Sequence, residues 1–249
     1  MMRTDGTGKS GYHHGDLRNA LIEAATELAR AGGPEAVVLR AAARRVGVSP
    51  TAAYRHFTGQ GDLLRAVKAR GQRWLADTME EVVGELVRGD GCDGDAGAAA
   101  EERVRAMGLG YLRFALAEPG LFRAAFCRLP LPEEETTGKR AGKATGKAVE
   151  GEAGGDAGGD AGGFGPDGPR DTRAASAYGL LGEALDALAA TGRMPAGRRP
   201  GAEFAAWSAV HGLAVLTLDG PLSRLPGEQR DAVVEGVLAS VLRGLTAPA

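Results

Sequence analysis

Between Val38 and Leu64, in VLRAAARRVGVSPTAAYRHFTGQGDLL, side chains that bond to phosphates and to base edges recur at helical spacing. Arg40, Arg44 and Arg55 carry fixed charge. Thr51 offers a hydroxyl, and Ala52 offers a methyl group that can meet the methyl of thymine. Arg55 can reach a guanine or a phosphate. At about 100° per residue, Ala53 and Phe57 share one face with Val48 beneath them, and Thr51, Ala52 and Arg55 point the opposite way. One face is core, and the other is free to meet a partner in its first turn, where Pro50, Thr51 and Ala52 would enter the major groove.

Other reactive sets fail on spacing or context. Ser208, His211 and Asp219 are the residue types of a hydrolytic relay, but the serine lacks a glycine frame and no strand pattern exists to hold it, so no catalytic residue is assigned. Gly8-Lys9-Ser10 suggests a phosphate loop, yet Arg3 stands where its first glycine belongs. His13 and His14 lack a third ligand at helical spacing. The acidic run Asp90 to Asp95 has no closing glutamate for calcium, and reads as a plain acidic loop. Cys92 has no basic neighbour and Cys127 has only Arg128, which gives little support for a redox switch. The sequence therefore implies no metal and no cofactor.

The elements needed to position the charged face are all helical. LRAAARRV and PTAAYRHF are two short helices separated by Gly47-Val48-Ser49, the spacing of a helix-turn-helix. Ser49 can cap the second through its hydroxyl, and Pro50 falls at its first position. A supporting helix runs from about Asp16 to Ala31, stopped by Gly32-Gly33-Pro34. From Asp62 to about Arg88 one stripe of Leu64, Val67, Leu75, Met79, Val82 and Leu86 marks a lever of roughly 40 Å. Further helices are expected over about 99–118, 121–126, 171–192, 204–218 and 228–245. Residues 204–218 are apolar nearly all round, which predicts burial on more than one side. Gly108 and Gly110 inside a helix point to close packing.

In these residues the chain resembles the tetracycline-repressor (TetR) family of bacterial regulators. Gly47-Val48-Ser49, Tyr54-Arg55-His56-Phe57 and Leu63-Leu64 are similar to its DNA-binding domain, and the likeness extends back through Tyr12 to Arg18. Trp207, His211 and Gly212 are similar to the signature of the subgroup named for its Trp-His-Gly C-terminal domain. The resemblance implies an all-α homodimer: a three-helix DNA-binding domain over 12–62, and a helical regulatory and dimerisation domain over 63–249. It further implies a repressor of a palindromic operator, released by a small effector. Tyr54 and His56 resemble the family's backbone-contacting positions. Gln60 departs from the usual lysine, so Arg40 or Arg44 would supply the phosphate contact. Tyr111, Phe114, Phe122, Tyr178 and Trp207 could line an apolar cavity. His211 stands one turn after Trp207, either facing an effector or satisfied inside a helix interface.

Composition agrees. Residues 1–75 hold 12 Lys and Arg against 6 Asp and Glu, leaving 18 against 26 for the rest, so +6 stands beside −8. A protein-contact module is the weaker reading of that basic third. No apolar run reaches the roughly 18 residues of a membrane span, and residues 1–11 form a polar arm, so a cytoplasmic protein is expected. Residues 138–168 contain 12 glycines and almost no large apolar side chains, which predicts a disordered insertion at about 130–170.

Overall fold

The computed structural model describes residues 14–89, 95–129 and 176–248. The expectations for the N-terminal arm, for His13, for Cys92 with residues 90–94, and for the Gly-rich stretch lie outside the described residues, as do residues 171–175 of the helix expected over 171–192. Among the described residues there are nine α-helices and no strand. They are α1 (His14–Gly32), α2 (Leu39–Val46), α3 (Pro50–Tyr54), α4 (Gln60–Gly89), α5 (Ala96–Ala117), α6 (Pro119–Phe126), α7 (Ala177–Ala190), α8 (Ala202–Leu218) and α9 (Gly227–Thr246).

Local chemistry sets the starts and stops. α2 ends at Gly47, whose φ of 79° is left-handed and needs glycine. Ser49 Oγ then accepts from Ala52 N–H at 3.2 Å, and Pro50 opens α3. α3 is shorter than the eight residues expected, but its turn continues in hydrogen bonds from His56 and Phe57 N–H to Ala53. Asp95 caps α5 by accepting from Gly97 and Ala98 N–H at 2.8 and 3.1 Å. Thus one aspartate of the acidic run has a helix-starting role. Pro119 ends α5 and also begins α6.

The core follows the expected stripes. Leu64, Val67, Leu75, Met79 and Val82 of α4 are buried, together with Val104, Met107, Tyr111, Phe114 and Ala115 of α5. Leu21, Ala25 and Ala29 of α1 close over Phe57 and Leu63 in the same continuous cluster. Gly110 brings α5 onto the α4 backbone, since a Cβ there would stand 2.6 Å from Met79 Cα. At Gly108 a Cβ would meet Leu238 of α9 at 2.5 Å, so packing accounts for both glycines. α6 lies across the end of α1: a Cβ on Gly120 would collide with the carbonyl oxygens of Ala29 and Arg30.

Burial on more than one side does not hold for α8 within one chain. Ala206, Val210, Leu213 and Ala214 are buried, whereas Phe204, Val215 and Leu216 are 57%, 40% and 46% exposed. No helix among the described residues is long and apolar enough to cross a membrane.

Candidate functional site

α3 is held by its apolar underside. Ala53 is fully buried, Phe57 is buried with the Arg18 guanidinium 5.1 Å over its ring, and Val48 packs against the same cluster. Pro50, Thr51, Tyr54 and Arg55 are exposed, and Ala52 and His56 are half-buried. Arg40 and Arg44 project from α2 into solvent, with Ser49 and Gln60 exposed at the starts of α3 and α4. These ten positions come together on the two short helices and the beginning of the long one. Arg45 joins them, exposed beside Arg44, and was not singled out by spacing although the Arg-Arg pair carried the signal. No ion pair among the described residues uses Arg40, Arg44, Arg45 or Arg55, so no carboxylate offsets that charge. Asp62 instead accepts from Thr58 N–H at 3.1 Å, fixing the turn into α4. The surface can bind phosphates and offer side chains to base edges.

The second cluster surrounds Tyr111. Its ring meets Trp207 edge-on at 5.1 Å and Phe122 at 5.8 Å, and its hydroxyl lies 2.7 Å from His211 Nδ1. Phe126 and Phe122 stand 5.0 and 5.7 Å from the His211 ring, Phe114 lies 6.5 Å from Phe122, and Tyr178 lies 5.9 Å from Trp207. Burial pushes the Tyr111 phenol well above its ordinary value, and pushes the His211 imidazole below 6.5. Both groups are therefore neutral near pH 7.

In sequence, residues 104–241 match the pattern described as tetracyclin repressor-like, C-terminal domain, more than half of the 249 residues, and residues 21–67 match bacterial regulatory proteins, tetR family. The chain belongs to the TetR family. It is a transcription regulator of that family, with a DNA-binding head and a helical C-terminal domain. A protein of unknown function from Rhodococcus sp. RHA1 superposes with a TM-score of 0.63 at 24% identity, over 96% of this chain and 100% of that one. A protein from Shewanella sp. PV-4, classed as a tetR family transcription regulator, gives 0.55 at 15% identity, over 93% and 99%. At such identities both speak for the fold. No curated protein matches the chain.

Within this TetR fold, the six aromatic and histidine positions expected around an effector fall in one connected set. Tyr111 and Trp207 also line an apolar void of about 30 Å³ with Met107, Gly108, Val210 and Leu238. That volume admits about a water molecule, so a larger ligand requires these side chains to move. Phe126 belongs to the set and was not singled out. Its signal was the four-residue step from Phe122, which sets both rings on one side of α6. The relay types do not meet. Tyr111 engages His211 Nδ1, and the Arg123 guanidinium binds the Asp219 carboxylate and holds it below its usual range. Among the described residues, no cluster of His, Cys, Asp and Glu could hold a metal ion.

Proposed function

We propose that this TetR-family regulator is a cytoplasmic, ligand-responsive repressor that binds an inverted-repeat operator as a homodimer. The observation that carries it is the free face of α3, with Thr51 and Arg55 exposed and Arg40, Arg44 and Arg45 unpaired around it. In a two-fold dimer the two copies of α3 enter successive major-groove faces, half-site centres about 34 Å apart. Thr51, Ala52 and Arg55 read bases, while Tyr54, His56, Arg40 and Arg44 hold the backbone.

Dimerisation through the outer sides of α8 and α9 is supported by the exposed Phe204, Val215 and Leu216. It is supported also by open space at Gly212, Gly236 and Gly244, where a Cβ would meet nothing within 4 Å. A partner helix can approach closely there. Trp207, His211 and Gly212 on one helix support membership of the Trp-His-Gly subgroup. Effector control is supported by the aromatic set on α5 to α8, with α5 and α6 packed along the lever α4, because a ligand that prefers one arrangement of these rings shifts the population of head positions.

Selection of bound genomic fragments by the purified protein tests the reading. The expected result is one inverted-repeat motif, bound by a dimer in sedimentation. Fragments without a shared motif, or a monomer on the DNA, contradict it.

A further inference from the structure

We infer that His211 presents an Nε2–H donor to the effector, and that the effector is a flat apolar molecule carrying a neutral hydrogen-bond acceptor such as a ketone or ester carbonyl. The inference rests on the effector reading above and specifies its chemistry.

The Tyr111 side chain is buried, and burial keeps the phenol protonated, so the O–H must donate to something. Among the described residues, the one hydrogen-bond partner of that oxygen is His211 Nδ1 at 2.7 Å. The phenol therefore donates and Nδ1 accepts. A neutral imidazole whose Nδ1 accepts carries its proton on Nε2. Burial, with no carboxylate opposing it, holds the ring neutral. The tautomer is thus set by the Tyr111 phenol.

Among the described residues Nε2 has no hydrogen-bond partner, yet it is not enclosed by them, so it is open to a ligand. Beside the imidazole stand the rings of Phe126 and Phe122, 5.0 and 5.7 Å from its centre, and Trp207 lies one turn earlier on α8. A single N–H set in aromatic walls selects by elimination. A cation meets a donor hydrogen and no carboxylate. An anion loses its hydration with no formal charge to replace it. A purely apolar molecule leaves the donor unbonded. A neutral carbonyl on an aromatic or alicyclic body satisfies the N–H and gives its area to the rings.

The test is calorimetry on the full chain with four probes of one shape: acetylnaphthalene, ethylnaphthalene, naphthoate and naphthylethylammonium. Acetylnaphthalene should bind roughly tenfold tighter than ethylnaphthalene, the effect of one neutral hydrogen bond, and tighter than either ion. In the double variant Tyr111→Phe with His211→Phe, which leaves no phenol unsatisfied, the two neutral probes should bind alike. Nitrogen-edited NMR of the wild-type ring should show the proton on Nε2, a readout that needs no ligand. Equal binding of the neutral probes, binding of neither, a preference that survives in the double variant, or a proton on Nδ1 overturns the inference. Operator release is read separately on the selected DNA. Acceptor preference without release leaves the His211 assignment standing and removes the effector reading, and release without preference does the reverse.

Discussion

Arg30, near the end of α1, donates from Nε to Glu118 at 2.6 Å, in the turn between α5 and α6, and so ties the DNA-binding head to the helical C-terminal domain. A second guanidinium nitrogen bonds the other carboxylate oxygen, and the guanidinium carbon lies 4.6 Å from the centre of the Trp74 ring. The pair is half-buried, and the fork geometry is specific to arginine. Glu118→Gln should cost about 1–3 kcal/mol, read as a lower urea midpoint with Trp74 emission as the probe. Arg30→Lys should recover little of it. An unchanged midpoint in both variants means that the two parts are held by apolar packing alone.

The approach of α5 to α4 gives a stability prediction of opposite sign to helix propensity. Gly110→Ala gains about 1 kcal/mol of propensity but sets a Cβ 2.6 Å from Met79 Cα, where backbone cannot give way. The net change should be a loss of about 1–3 kcal/mol in chemical denaturation. Gly61→Ala, in open space at the start of α4, should instead be neutral or stabilising. Equal effects at the two sites would mean that α4 and α5 lie farther apart.

His211 predicts a pH dependence. Its folded value is depressed below 6.5, so the unfolded chain binds a proton more readily there. The contribution is complete above 6.5 and is lost as pH falls through the lower folded value, with a slope of up to about 1.4 kcal/mol per pH unit. Thermal unfolding of the wild type should weaken through that window more than that of the Tyr111→Phe, His211→Phe double variant. Parallel curves would show that His211 is not desolvated in the folded protein.

The exposed side of α8 predicts the assembly. Phe204→Glu and Leu216→Glu add a charge at sites open in the single chain, so each should leave helicity intact. In a paired seam the same charge is desolvated and costs several kcal/mol. Sedimentation at micromolar concentration should then show folded monomers. An intact dimer for both variants would exclude this face as the interface.

Helix positions were legible because long apolar stripes have one solution: Leu64, Val67, Leu75, Met79 and Val82 are buried as the 3.6-residue repeat requires. The exposed face of α3 was equally legible, since Ala53 and Phe57 had to turn inward and thereby exposed Thr51 and Arg55. What periodicity could not supply was pairing between distant elements. The Tyr111 hydroxyl and His211 are 100 residues apart, and Arg30 and Glu118 are 88 apart. Neither pairing leaves a local pattern. Burial on more than one side of α8 was read from composition, which reports apolar surface without saying which molecule covers it.

In the proposed reading, α3 contacts base edges through Thr51 and Arg55, with α2 supplying charge to the backbone. Binding isotherms on the selected operator and on scrambled DNA, at several salt concentrations, test it most directly. Arg55→Ala should weaken operator binding by about 1–3 kcal/mol while leaving scrambled DNA nearly unaffected, so that specificity falls. Arg44→Ala should weaken both alike and lower the salt slope by about 1. An Arg55→Ala protein that loses affinity equally for operator and scrambled DNA would contradict base reading by this side chain, and would assign it to the phosphates.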